Sequence, residues 1–406
     1  MAATHIIGRR GYSTQSGRII PNVLPRIILI DDNIVDAGFL AFYSKVPVQT
    51  TDQEQFKWDI DQYLSITDTV DGAVADTAQE TIQVDNPKYF IAGQLWLVKR
   101  TGEIMHVKSV NNSTSNVVFT RAVTALNSSG GTAAAAIVDA DTLVRVAPAV
   151  GENSSRQSTQ TTTPSEVSNY CQQFRFELGL SRRQMKRKYE TGDELPYQRK
   201  KIMKEARMAM NRQFLVGEKA RYTDDDGEDV TLTTGIKPVI STYTWSVGGT
   251  MHEYEWDEFL VEEGLRRGSR NKVLFSSTNV LLAASQMVKD RVEYTVPFGQ
   301  GAKKVGITVM EYKAPNGGNI MMVEDRFLSE AMNGTAIGVD MTELHRRVFS
   351  RNGFNDDLHI MLGTQDPDDV GNTDTLYADM GLQYGAEQNH FLITNVEGGA
   401  KGKALS

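Results

Sequence analysis

Apolar positions follow three different rhythms along this 406-residue chain. In EQFKWDIDQYLSI, Phe56, Trp58 and Ile60, with Leu64 beyond, fit the period of two that marks a half-buried strand. From Ile82 to Val150 the runs YFIAGQLWLV, EIMHVKSV, NVVFTRAV and AAIVDADTLVRV are short and parted by TGE, NNSTSN and NSSGG. Regular short strands with turn residues between them predict a small antiparallel β module. Between Asp193 and Ala220 the spacing changes to three and four. Ile202, Ala206, Ala209 or Met210, and Phe214 then share one stripe of a long amphipathic helix. Pro196 suits its first turn and Gly217 its end.

Around these segments the pattern is weaker. The first 45 residues read as a polar, extended arm in which Pro21 and Pro25 resist helix. TDTVDGAVADTAQETIQV is small and polar and reads as a mobile loop, and residues 151–168 form a Ser/Thr/Gln linker. After the long helix come a hairpin (TDDDGEDVTLTTGI), a helix (HEYEWDEFLVEEGLRRG), a buried strand (NKVLFSS) and a helix (TNVLLAASQMVKDR). VGITVMEYKAPNGGNIMMVED then reads as a hairpin turned by Pro-Asn-Gly-Gly, and DLHIML, TLYADMGLQYG and HFLITNV as closing strands. Mixed helices and strands without a βαβ rhythm predict an α+β fold.

Composition narrows the class. Forty per cent apolar and 23% charged residues suffice for sizeable cores. A net charge of −8 argues against a surface that binds nucleic acid throughout. Cys171 is the only cysteine, which rules out an intrachain disulfide or a thiolate metal cluster. It reads as a buried strand residue, and the chain as one assembled in a reducing cytoplasm. No apolar run approaches the ~20 residues of a membrane span, and the N-terminus lacks the apolar core of a secretion signal.

Candidate chemistry is thin. GQGAKKVG (299–306) lacks the Lys-Ser/Thr ending of a phosphate loop and precedes a strand pattern, so it reads as a turn. DDDGED (224–229) lacks the twelfth-position Glu of a calcium loop and reads as an acidic hairpin tip. The six histidines, at 5, 106, 252, 345, 359 and 390, never take the spacing of a zinc site. Neither a catalytic constellation nor a cofactor is expected. A basic run remains: Arg182, Arg183, Lys186, Arg187 and Lys188, then Arg199, Lys200, Lys201, Lys204, Arg207 and Arg212. Only Glu190, Asp193, Glu194 and Glu205 lie among them, and no DNA-reading module accompanies them. Two readings stay open here, nonspecific attraction to phosphates and ion pairs with an acidic neighbouring subunit.

The order of parts resembles the tailed-bacteriophage major capsid protein of the Hong Kong 97 type. More narrowly, it is similar to a capsid subfamily whose return strand has the form Asn-Tyr-x-Gln-x-Phe. Here that is Asn169-Tyr170-Cys171-Gln172-Gln173-Phe174, followed by LSRRQMKRKY. LTTGIKPVIST, VLFSS before a helix, and VGITVMEYKAPNGGNIMMVED carry the likeness through the body. GEIMHVKSV and VVFTRAV resemble the small β domains that such proteins insert in their extended loop.

The resemblance implies a Hong Kong 97-like capsid fold. Its parts would be an N-terminal arm (1–45), an extended loop (46–81 and 151–192), an inserted β module (82–150) and a spine helix of the peripheral domain (193–221). An axial domain (222–342) and a return to the peripheral domain (343–406) would complete it. It implies hexamers and pentamers closing into an icosahedral head around double-stranded DNA. Separate scaffold and portal proteins, weak nonspecific contact with packaged DNA and no membrane partner are expected. The chain would reside in the virion after assembly in the bacterial host cytoplasm. Trp58, Phe174, Phe176, Arg182, Arg183, Lys186 and Arg187 are the expected subunit contacts. A covalent crosslink is not predicted. A soluble enzyme of unknown reaction and a nonspecific nucleic-acid-binding protein using residues 182–212 are the alternatives.

Overall fold

The computed structural model describes residues 38–126, 130–149, 152, 161–189, 193–287, 292–293, 309–351, 354–366, 368 and 370–400. Most of the expected arm and the whole of GQGAKKVG lie outside the described residues. The chain divides into two compact units. One is Asp59–Glu166; the other combines residues 1–58 with 167–406.

The larger unit opens with helix α1 (Phe39–Tyr43), strand β1 (Val48–Thr51) and strand β2 (Gln55–Ile60). Along β2 Phe56 is buried and Trp58 and Ile60 half-buried, while the residues between them face out, as the alternation predicts.

The smaller unit is a six-stranded sheet. Its strands are β3 (Thr67–Thr69), β4 (Thr81–Gln83), β5 (Gln94–Val98), β6 (Ile104–Asn111), β7 (Asn116–Thr120) and β8 (Thr142–Pro148). They lie in the order β3-β8-β5-β6-β7-β4, every neighbour antiparallel. Trp96 and Val98, Met105 and Val107, Val117 and Phe119 alternate into one core, where Phe90 stacks on Trp96 at 4.1 Å. Beside this core Glu103 and Arg121 form a buried ion pair with bonds of 2.7 and 2.8 Å. The Glu103 carboxylate also accepts from the backbone of Ala122 and Ala135, and Arg121 donates to the carbonyls of Gln79 and Ala135.

The stretch TDTVDGAVADTAQETIQV is not the loop expected from its composition, since it supplies β3 and β4. Four apolar residues suffice to hold it: Val70, Val74, Ile82 and Val84 are all buried. The backbone of Val74 bonds in both directions with Ile137, and the buried Asp68 accepts from Asn86 at 3.1 Å.

The chain returns along β9 (Ser165–Tyr170), which pairs with β2 as a two-stranded ribbon, and continues as β10 (Gln172–Ser181). Helix α2 (Arg182–Lys186), the long helix α3 (Glu194–Val216) and the hairpin β11 (Ala220–Thr223) to β12 (Asp229–Leu232) follow. The next elements are β13 (Thr244–His252), α4 (Glu253–Phe259), β14 (Asn271–Ser276), α5 (Thr278–Met287) and β15 (Val292–Glu293). Then come β16 (Val309–Lys313), β17 (Asn319–Glu324), α6 (Arg326–Ala331) and β18 (Ala336–Val339). The last strands are β19 (His345–Arg351), β20 (Phe354–Asn355), β21 (His359–Met361), β22 (Gly371–Gln383) and β23 (Phe391–Ala400).

Two sheets organise these strands. A mixed seven-stranded sheet runs β13-β23-β18-β14-β17-β16-β15. The Pro-Asn-Gly-Gly turn between β16 and β17 holds Gly317 at φ +78, which glycine adopts without strain. The second sheet runs β1-β19-β22-β10, with β20 and β21 pairing at its side. In α3 the predicted stripe is the buried one, because Ala206, Met210 and Phe214 recur every fourth residue. Phe214 lies 4.5 Å from the ring of Tyr43 and 5.8 Å from that of Phe174. Burying a Phe of this kind is worth about 3–5 kcal/mol against Ala.

Candidate assembly surface

The motif Asn169 to Phe174 crosses from β9 into β10, and two of its polar side chains, Asn169 and Gln172, bond within the subunit while Gln173 is exposed. Asn169 is fully buried. Its amide nitrogen donates to Thr233 Oγ1 at 3.1 Å and to the Leu382 carbonyl at 2.7 Å. Its amide oxygen accepts from the backbone of Tyr170 and Thr234. Gln172 Oε1 accepts from Thr233 N at 3.1 Å, and Thr231 Oγ1 donates to the Cys171 carbonyl at 2.6 Å. Gln213 of α3 reaches the Thr233 carbonyl at 2.8 Å. Two segments singled out in the sequence, NYCQQF and LTTG, therefore clasp each other between β22 and the long helix.

Cys171 is buried, and burial, with the neighbouring Asp379 adding to it, pushes its thiol up to about 12. It sits at the junction of β9 and β10 rather than within the strand expected from the sequence, and is no nucleophile at neutral pH. Lys272 and His390 are likewise held in structural bonds. Lys272, lowered to about 8 by burial, donates to the Asn389 carbonyl at 2.7 Å. His390 bonds the Tyr384 carbonyl through Nε2, and its Nδ1 accepts from Asp340 N. Among the described residues no group of three or more His, Cys, Asp or Glu is arranged to hold a metal ion. No described helix is long and apolar enough to cross a membrane.

The aromatic contact candidates are engaged with their own subunit. Phe174, 6% exposed, lies in the main core against Phe214. That removes it from the available surface: strand alternation marks a covered face without saying which chain covers it. Phe176 is partly buried on the same core. Trp58 is half-exposed; its indole N–H donates to the Gly385 carbonyl at 2.9 Å, and its ring meets Tyr384 edge-on at 4.9 Å. Only its outer face is open to a neighbour.

The basic candidates stand apart from these. Ser181 ends β10 and caps α2, its Oγ accepting from Gln184 N at 3.3 Å. The short helix that follows presents Arg182, Arg183 and Lys186, with Arg187 and Lys188 next, all exposed. The side chains of Arg182, Arg183, Lys186 and Arg187 have no hydrogen-bond or ion-pair partner among the described residues. The basic run is thus not one cluster. Arg199 of α3 is spent inside the subunit, bonded at 2.6–2.7 Å to Asp374, which is 3% exposed. Lys201 faces Glu205 one turn on. Lys200 and Arg207 of α3 are exposed as well, but the densest run of open charge is 182–188, at the end of β10.

A family profile described as SU10 major capsid protein matches residues 12–397 of the chain. None of the curated proteins compared with it matches. Among solved structures the chain is similar to the capsid of an empty GTA particle computed with C5 symmetry. The identity is 9% and the TM-score 0.49, over 96% of this chain and 100% of that one. It is similar to a chain of Mycobacterium phage Bobi at 8% identity and TM-score 0.48, over 97% and 99%. The values for Microbacterium phage Oxtober96 are 8% and 0.44, over 95% and 98%.

Proposed function

The chain belongs to the SU10 major capsid protein family, and from that premise we propose that it builds the icosahedral head of a tailed double-stranded DNA bacteriophage as hexamers and pentamers. The observation that carries this reading is the extent of the family match, residues 12–397, which takes in both units and every motif quoted above. As a major capsid protein it is a structural component of the virion. Its role is mechanical: no step of catalysis is assigned to it.

In this reading the ribbon β2–β9 belongs to an extended loop, α3 is the spine of a peripheral domain, and the seven-stranded sheet belongs to an axial domain. A two-stranded ribbon alone in water is marginal and needs a packing partner, so the ribbon gains from a neighbouring subunit. The unpaired cations at 182–187 have the same requirement, and an acidic patch on another copy meets it. The overall charge of −8 keeps contact with the packaged genome weak and nonspecific. A separate scaffold and a portal are the further partners of this reading, with assembly in the host cytoplasm.

Negative-stain imaging of the purified chain, alone and with a co-expressed scaffold, tests the reading. Uniform shells or capsomer-sized rings are expected. A strictly monomeric species in every condition overturns it.

A further inference from the structure

The exposed cations of α2 have a counterpart elsewhere on the chain. The β11–β12 hairpin ends in Asp224, Asp225, Asp226, Gly227 and Glu228, all exposed. Asp224 is used to shape the turn, since its Oδ1 accepts from Asp226 N and Glu228 N at 3.0 and 2.9 Å. Gly227 at φ +87 completes it. The carboxylates of Asp225, Asp226 and Glu228 have no recorded partner in the described residues, whereas Asp229 at the strand end pairs with Arg221 at 2.7 Å.

The two patches cannot neutralise each other within one subunit. The hairpin is rooted at the start of β10, through Thr231 on Cys171 and Thr233 on Gln172. The cations follow the other end, after Ser181. Ten strand residues place these ends about 30 Å apart, and four residues of β12 carry the acidic tip only about 13 Å from its root. With a Debye length of about 8 Å at physiological salt, the patches scarcely feel each other across that gap. Opposite charges this far apart on one subunit fit a heterologous, head-to-tail contact, the kind that closes rings.

We infer that the acidic hairpin tip of one copy, through Asp225, Asp226 and Glu228, docks on Arg182, Arg183, Lys186 and Arg187 of a second copy. This rests on the capsid reading and names the surfaces that mate within it. The contact is exposed and electrostatic, so it steers copies into register more than it holds them, and raised salt slows ring closure.

Charge reversal tests the pairing. Variant one carries Arg182→Glu, Arg183→Glu, Lys186→Glu and Arg187→Glu. Variant two carries Asp225→Lys, Asp226→Lys and Glu228→Lys and spares the turn-forming Asp224. Each is expected to lower shell yield about tenfold, and the chain carrying both sets, in which every copy is again complementary, to recover it to within about threefold. A combined chain no better than either set alone overturns the pairing, as does variant two assembling at the parent yield. Arg183→Cys with Asp226→Cys in one chain gives a second readout, because Cys171 is buried. Air oxidation of its assembled shells should produce a ladder of disulfide-linked oligomers on denaturing gels, and monomer alone overturns the inference. A parent chain that forms shells while the swap fails to rescue defeats this pairing and leaves the capsid reading standing. A parent that never assembles defeats both.

Discussion

Asn169 donates to Thr233 across a gap of 64 residues in sequence, and both are buried. Thr233 makes four hydrogen bonds: its N–H goes to Gln172, its carbonyl accepts from Gln213, and its hydroxyl oxygen accepts from Asn169 and from Leu382 N. Asn169→Ala strips the acceptor from Thr234 N and the side-chain donor from the Leu382 carbonyl. Leaving buried polar groups unpaired costs about 1–3 kcal/mol each, so a loss of about 2–4 kcal/mol is expected from urea denaturation. Asn169→Asp should fall in the same range, because a carboxylate cannot donate to that carbonyl. A loss below about 1 kcal/mol for both would show that the clasp carries little.

In the β module, Glu103 and Arg121 stand on the strand side of two quoted runs, GEIMHVKSV and VVFTRAV, with side chains 0% and 5% exposed. Arg121→Met leaves the Glu103 carboxylate buried and uncompensated and should cost about 3–5 kcal/mol, with Glu103→Gln costing less. The double variant Glu103→Leu with Arg121→Met should be less harmful than Arg121→Met alone, since removing both charges also removes their desolvation. Thermal unfolding of the full chain measures all three, and a double variant at least as damaging as Arg121→Met alone would contradict the coupling.

The parts of this architecture that were legible are those set by local repetition. The fourfold spacing of Ala206, Met210 and Phe214, the alternation of Phe56 and Trp58, and the Pro-Asn-Gly-Gly turn each specify geometry within one element. Asn169 was visible as part of a motif, yet its role was not, because its partners lie 64 and 213 residues away. For the same reason the sequence places Phe174 at a subunit contact: β10 has a covered face, and only the fold reveals that α3 of the same chain covers it. Residues 67–84 were hidden by composition, with four apolar anchors spread among small polar residues. Within the basic run, sequence could not separate Arg199, bound to Asp374, from Arg182 and its neighbours, which are open.

Acidity should strengthen the subunit through Asp379. This carboxyl is 6% exposed, has a buried Oδ1 without a partner, and is raised to about 6, first by burial and then by Asp356 and Glu54. A folded-state value above the unfolded 3.8 means that the native chain binds the extra proton between about pH 4 and 6. Stability from this group is therefore greatest below pH 4 and falls as pH rises to 6, by up to about 3 kcal/mol. Asp379→Asn should raise the melting temperature at pH 7.5 and leave it nearly unchanged at pH 4. Equal effects at both pH values would exclude Asp379 as the source.

Arg199 and the 182–187 cations should separate cleanly when their charges are reversed. Arg199→Glu sets a second carboxylate against Asp374, whose remaining contacts are Gly363 N and Asn372 Nδ2 at 3.2 and 3.3 Å. Arg199 is itself about one-third exposed, which softens the penalty relative to a fully buried pair. A loss of about 2–3 kcal/mol is expected in urea. The fourfold reversal at Arg182, Arg183, Lys186 and Arg187 touches no intramolecular partner, so its urea midpoint should stay within about 0.5 kcal/mol of the parent while shell yield falls. The two variants thus fail for different reasons, one in the subunit and one between subunits. If the fourfold variant unfolded as readily as Arg199→Glu, its cations would belong to the subunit's own stability rather than to assembly.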